Sequence, residues 1–218
     1  MKSLLVVHDN TDVLLYRMLD TTRAFAAEQL RHVGEFDIIS KRHAVYVCGA
    51  LREAERDWGT EEGTTWLAKY GHLIDDVRGA LDWAASETGD RELGGRITEE
   101  SATLWFALSL LEEYSRRIEV ALAHARKQKF ADPAIEIGLL DARGHTAWHT
   151  RGDMATMANS FARALTAARQ ERLPEAEYRA LYGQIVYFST NGDYAEALAA
   201  AQQLGMLASS LDDPRART

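Results

Sequence analysis

Apolar residues recur at intervals of three and four along most of this chain. Between Thr64 and Glu87 they fall at Trp66, Leu67, Tyr70, Leu73, Ile74, Val77, Ala80, Leu81 and Ala84, a spacing that puts side chains on one face of a helix. The stretch from Phe36 to Trp58 repeats the pattern with Ile38, Ile39, Ala44, Val45, Val47, Cys48 and Leu51, and Gly59-Thr60-Glu61-Glu62-Gly63 breaks it. Thr21 to Val33, capped by Asp20, reads as an earlier helix. Gly89-Asp90 ends the Thr64 helix, and Arg91–Leu108 and Leu110–Lys129 follow. No glycine separates these last two. Ser109-Leu110-Leu111-Glu112 has the form of a capping box and predicts the break between them. The N-terminus departs from this period. Ser3–Val7 and Val13–Leu19 are short and apolar, and they flank the turn residues His8–Asp12, which predicts a β-hairpin.

From Asp132 onward the pattern is one helical hairpin written twice. Pro133, Pro174 and Pro214 stand 41 and 40 residues apart, and the turns Gly152-Asp153 and Gly192-Asp193 stand 40 apart. Proline fits a first helical turn, whose N–H has no intrahelical partner. Asp132 can cap the helix that Pro133 opens. Glycine accepts the left-handed conformation that ends a helix, and aspartate then caps the next one. At the second turn the two helices are expected to meet through Leu181, Ile185, Phe188, Ala197, Leu198 and Ala201. A fixed period of this size marks stacked helix pairs. The run Tyr194-Ala195-Glu196-Ala197-Leu198 resembles the second helix of a tetratricopeptide repeat, although that family has a shorter period of about 34 residues. The expected fold is all-α: a right-handed, tetratricopeptide-like superhelix of antiparallel helix pairs, about nine helices in all, with a short N-terminal β-hairpin.

Composition narrows the function. Hydrophobic residues make up 46% of the 218, enough for a sizeable core, and the formal net charge is −8. Phosphate backbones are held by clustered Lys and Arg, so this balance argues against direct nucleic-acid binding. The single cysteine, Cys48, rules out an intramolecular disulfide and is expected to pack as a small apolar residue. No apolar run reaches transmembrane length. Met1–Val7 begins like a signal peptide but stops at His8-Asp9-Asn10, and the expected location is cytoplasmic.

Two stretches carry a resemblance. Tyr16-Arg17-Met18-Leu19-Asp20-Thr21-Thr22-Arg23-Ala24-Phe25-Ala26, continued by Glu28-Gln29-Leu30, Gly34-Glu35 and Arg42-His43-Ala44, is one. Trp66-Leu67 with Asp75-Asp76-Val77-Arg78-Gly79-Ala80-Leu81-Asp82-Trp83-Ala84 and Gly89-Asp90-Arg91-Glu92-Leu93 is the other. Both resemble bacterial STAND-type predicted ATPase regulators, which join a P-loop domain and a winged helix to a C-terminal helical-repeat sensor. The resemblance implies a division into residues 1–34, the last hairpin and helix of a winged-helix domain; 35–130, sensor or linker helices; and 131–218, tetratricopeptide-like repeats with a truncated third copy. It implies a transcriptional regulator that responds to a protein partner or small inducer in its repeat groove, with possible self-association. The phosphate cradle G-x-x-x-x-G-K-[ST] occurs nowhere in the chain. ATP and Mg are therefore expected only in an upstream domain, with no cofactor in this segment. The chain is read as a fragment of a longer regulator or as a short natural protein of the same ancestry. A free-standing helical-repeat adaptor is the alternative function.

The search for chemistry returns no catalytic set and no metal set. His145 and His149 lie one helical turn apart, with Asp141 a turn earlier, a spacing that can hold a metal. No His-Glu-x-x-His pattern accompanies them, and polar residues lining a repeat groove are the preferred reading. The pairs Glu61-Glu62, Asp75-Asp76, Glu99-Glu100 and Glu112-Glu113 read as solvated helix faces. The candidate ligand or partner residues are Trp105, Tyr114, Arg116, His145, Trp148 and His149. Trp148 and Phe188 share one repeat position, which favours packing between repeats. Arg117 and Arg143 are further candidates for anion contacts.

Overall fold

The computed structural model describes the backbone of residues 5–10, 13–60, 62–151 and 153–210, with side chains from Met18 onward except at Asp20 and Arg151. The expected Asp20 cap, Gly152 of the first turn and the third repeat at Pro214 lie outside the described residues. The chain divides into two compact units, one up to His43 and one from Ala44 onward.

In the first unit β1 (Leu5–Asn10) pairs antiparallel with β2 (Val13–Met18), with Leu5 opposite Met18 and Asn10 opposite Val13. Helix α1 (Asp20–His32) follows. Gly34, at φ +75°, separates it from α2 (Phe36–Asp57), which continues into the second unit. The Arg31 guanidinium sits 4.1 Å from the centre of the Phe36 ring, a cation–π contact.

The second unit is helical throughout its described residues. It continues with α3 (Gly63–Tyr70), α4 (Leu73–Ala84), α5 (Arg91–Glu100), α6 (Ala102–Ala107), α7 (Leu111–Lys127), α8 (Pro133–Arg151), α9 (Met154–Glu171), α10 (Pro174–Asn191) and α11 (Tyr194–Ser210). The described residues thus form eleven helices where the apolar pattern predicts nine. Two expected helices are each interrupted. Thr64–Glu87 divides at Gly71-His72, where the Gly71 N–H donates to Leu67 O and closes α3. Arg91–Leu108 divides at Ser101, whose ψ of 2° leaves the helical range. Each stretch keeps one apolar face across its bend, so the period alone cannot reveal it.

The break after α6 falls at Ser109 as predicted, by a different device. Ser109 takes φ +57°, and the residue before α7 is Leu110, which makes no side-chain cap. The left-handed residue ends the helix without the expected capping box.

Adjacent helices pack in pairs. α8 lies on α9, α10 on α11, and α10 also meets both α8 and α9, while α7 and α5 carry the stack back from α8. Residues on both sides of position 131 therefore belong to one unit. The punctuation read from the sequence closes these pairs. Pro133 and Pro174 open α8 and α10, and Gly192 ends α10 at φ +88°. The Asp132 carboxylate accepts from the Ala134 N–H at 3.0 Å, and the Asp153 carboxylate from the Thr156 N–H at 3.0 Å. At the second turn Leu181 and Ala197 are buried as expected, but Leu198 is 61% exposed. The buried stripe of α11 is Ala197, Ala200 and Ala208, and Leu198 stands one position, about 100° around the helix, from its start.

The core runs through α2 to α10, with Trp66, Trp105, Tyr114, Ile118, Leu139 and Phe161 almost wholly buried. The polar tips of three buried aromatics are satisfied within the core. Trp66 Nε1 donates to Ala54 O at 2.7 Å, Trp105 Nε1 to Ser101 Oγ at 2.9 Å, and Tyr114 Oη to Thr98 O at 3.0 Å. Cys48 is buried in α2 as expected; burial, with the Glu100 carboxylate nearby, pushes its thiol up to about 12. Among the described residues no helix is long and apolar enough to cross a membrane.

Candidate functional site: a carboxylate-floored cleft

Within the second unit, five helices border a cleft of about 780 Å³. α2 contributes Arg52, Glu55 and Arg56; α5 and α6 contribute Glu99, Glu100 and Phe106; α8 contributes Gly138, Asp141 and His145; and α10 contributes Arg179. Its volume falls in the range of small-molecule sites, about 300–1,000 Å³.

The floor is unusual for its carboxylates. Glu99, Glu100 and Asp141 expose only 28%, 15% and 16% of their side chains. The Glu99-Glu100 pair is therefore not the solvated face the sequence suggests. Neighbours on a helix diverge by about 100°, and a cleft between α2 and α8 is wide enough to receive both. Glu100 Oε1 accepts from Arg52 Nε at 2.9 Å. Glu100 Oε2 and Asp141 Oδ1 are buried and have no hydrogen-bond partner. Asp141 Oδ2 lies 3.9 Å from His145 Nε2, and Glu99 Oε1 lies 3.9 Å from the Arg179 guanidinium. Both separations exceed hydrogen-bond range.

Desolvation governs the titration of this floor. Burial pushes Glu99 up to about 6, against the pull of Arg179 and Arg96 and with the push of Glu100 and Asp141. Burial likewise raises Asp141, with His145 and Arg179 opposing. A low-dielectric site disfavours an ionised carboxylate unless donors surround it.

The backbone allows these side chains in. Gly138 faces Glu99 so closely that a Cβ at position 138 would stand 2.4 Å from Glu99 Cγ. A larger residue there would push the Glu99 side chain out of its place.

The candidate residues divide into three groups. Trp105 and Tyr114 are fully buried, with rings stacked 5.7 Å apart, and present no surface to a ligand. Their large apolar area is used by the core, and their polar tips are occupied by Ser101 and Thr98. Arg116 is exposed on α7 and does not line the cleft. His145, Trp148 and His149 lie together on α8, and only His145 lines the cleft. The two histidines address different neighbours. His145 packs edge-on against Phe161, with centroids 4.9 Å apart, and also nears Tyr182; His149 contacts Phe106 and Trp148, with centroids 5.5 and 4.7 Å away. Among the described residues no group of three His, Cys, Asp or Glu side chains is placed to hold a metal ion. Trp148 is 39% exposed and Phe188 is half-buried, so their shared repeat position is a partly open one. Arg117 and Arg143 are taken up by carboxylates, Arg117 by Asp82 and Arg143 by Glu119 at 2.6 Å.

Sequence reasoning overlooked Glu99, Glu100, Phe106 and Arg179 as one site. They come from three helices, and only Gly138, a glycine inside a helical pattern, hints at a close approach there. A smaller groove of about 390 Å³ lies between α8 and α9, beside Phe130, Ile137 and Arg163, and contains none of the candidate residues.

No protein-family model matches this chain, and no curated protein matches it in sequence.

Proposed function

We propose that this chain is a helical-repeat sensor segment that binds a small inducer in the cleft between α2, α5, α8 and α10. The observation that supports the reading is the cleft floor, where two buried carboxylate oxygens have no partner within the protein. Buried acceptors left open are costly to folding, and ligand binding is one reason for a fold to keep them. The stack of α8 to α11 is compatible with a right-handed tetratricopeptide-like superhelix, whose grooves hold ligands between helix pairs. On the resemblance carried by Tyr16–Ala26 and Asp75–Ala84, the parent is a STAND-type ATPase and winged-helix transcriptional regulator. The β1–β2 strands would then be the wing of its winged helix. Occupancy of the cleft would control ATPase and DNA-binding parts outside this chain, in the cytoplasm. The segment itself would perform no catalysis and bind neither ATP nor DNA.

A panel of small metabolites screened by thermal shift tests this reading, with hydrogen exchange locating each hit. The expected result is at least one compound that raises the melting temperature and protects α5, α8 and α10. Hits that protect only other helices, or no hits, overturn it. Stoichiometric ATP binding in calorimetry, or a salt-sensitive gel shift with a DNA duplex, would overturn the division of labour.

A second reading, a free-standing adaptor for proteins, draws on α11, where Tyr194, Leu198 and Met206 are 73%, 61% and 69% exposed. Exposed large apolar residues of this density favour a protein contact, and self-association through this face is the simplest form.

A further inference from the structure

We propose that the ligand of this cleft is a small organic cation whose primary ammonium or guanidinium group donates to Asp141 Oδ1. The inference rests on the cleft being a ligand site and adds the chemistry of the guest.

Three observations carry it. The first is a mismatch between donors and acceptors. Two of the three cleft arginines already donate within the protein: Arg52 holds Glu100 Oε1, and Arg56 Nε donates to Arg52 O at 3.3 Å. Arg179 stands beside Glu99, 3.9 Å away. The acceptors are in excess, with Asp141 Oδ1 and Glu100 Oε2 both open. A guest that brings N–H donors completes this floor, whereas one that brings only acceptors meets oxygens that repel it.

The second is charge in a desolvated place. Burial raises the proton affinity of both Glu99 and Asp141 even though Arg179 stands nearby. An ammonium group beside them would hold both carboxylates ionised, since an opposite charge within about 4–6 Å favours the charged form. The third is the wall. Phe106 lines the same cleft, and aromatic faces attract organic cations. A volume of about 780 Å³ suits a molecule with a chain or ring attached to its cationic head.

Calorimetric titration of the whole chain at neutral pH and low salt tests this. The probes are agmatine and 1,4-diaminobutane, with 1,4-butanediol as a neutral analogue of matched length and glutarate as an anionic one. The expected result is saturable binding of the two cations, with the diol and glutarate at least about tenfold weaker. Hydrogen exchange should show protection of α5 and α8 by the cations. Because the chain is acidic overall, the specific site is separated from diffuse attraction by matched variants. Asp141→Asn should weaken agmatine about tenfold or more, while Glu112→Gln, on α7 and outside the cleft, should leave it unchanged. Glu99→Gln gives a second, independent reduction if Asp141→Asn fails to fold. Equal affinity for diamine and diol overturns the proposal, as does loss of binding in Glu112→Gln equal to that in Asp141→Asn. Protection of the cleft helices by glutarate or the diol alone also overturns it, and leaves the ligand-site reading standing. If none of the four probes binds, the cationic guest is excluded at this floor, and the wider metabolite panel decides the fate of the cleft as a sensor.

Discussion

Phe161 of α9 lies against Gly183 of α10 with no room for a side chain between them: a Cβ at position 183 would stand 2.3 Å from Phe161 Cδ1. Gly144 of α8 meets the same ring from the neighbouring helix, where a Cβ would stand 2.6 Å from Cε1. One fully buried aromatic thus joins three helices at backbone distance. Gly183→Ala should destabilise the chain by about 1–3 kcal/mol, the usual cost of overpacking a filled core. Gly205 in α11 has nothing within 4 Å of its missing Cβ. There Gly205→Ala should stabilise by about 0.5–1 kcal/mol, the helix preference of alanine over glycine. Chemical denaturation of both variants checks the opposite signs.

The α10–α11 turn offers a test of local cooperativity. Gly192 ends α10 at φ +88°, where a β-branched residue costs about 1–2 kcal/mol. The Asn191 amide donates to Asp193 Oδ2 at 2.6 Å and braces the same turn. Gly63, at the start of α3, has no positive φ and open space around it. Gly192→Val should therefore reduce hydrogen-exchange protection over residues 180–205, and Gly63→Val should do so far less around α3. The effect should remain near α10 and α11, because stacked repeats are held by neighbour contacts. Unchanged protection in Gly192→Val would mean that the turn carries no part of the repeat's stability.

The repeat was legible because its signals act locally. Pro133, Pro174, Asp132 and Gly192 each fix a helix end through their own local chemistry, and each does so here. Interruptions without such chemistry stayed hidden. Ser101 bends the chain between α5 and α6 with an ordinary residue, and Ser109 adopts a left-handed conformation that its side chain does not announce. The site was the least legible part. Glu99 and Glu100 read as surface because a helix taken alone has no cleft beside it. Only the approach of α2 and α8 makes them a floor. Trp105 and Tyr114 read as ligand residues for the converse reason, since a sequence does not distinguish an aromatic that lines a groove from one that fills a core.

That distinction is measurable. Trp105 is fully buried, stacked on Tyr114 and hydrogen-bonded through its indole to Ser101. Trp105→Ala should cost about 3–5 kcal/mol, the range for large buried aromatics. Trp148, 39% exposed on α8, should change stability by only about 0.5 kcal/mol when replaced by alanine. Thermal unfolding of the pair checks it, and comparable losses in both variants would contradict the burial of Trp105.

The carboxylate floor should leave its mark on the pH dependence of stability. Glu99 titrates near 6 in the folded chain, against an ordinary value of 4.5, because burial penalises its charge more than Arg179 and Arg96 compensate. The folded state then holds a proton that the unfolded state has released. Stability from this group is complete below 4.5 and is lost as pH rises to about 6. By the free energy of a pKa difference the loss is about 2 kcal/mol. Glu99→Gln cannot ionise, so it should gain about that much over the wild type at neutral pH and gain little below pH 4.5. Groups such as Glu113, which Arg78 holds below its ordinary range, slope the other way. They are common to both proteins and cancel in the difference. Urea unfolding of the two proteins across this window measures it. A difference that does not change with pH would show that Glu99 is well served by donors after all, which would also remove one of the reasons to expect a cation beside it.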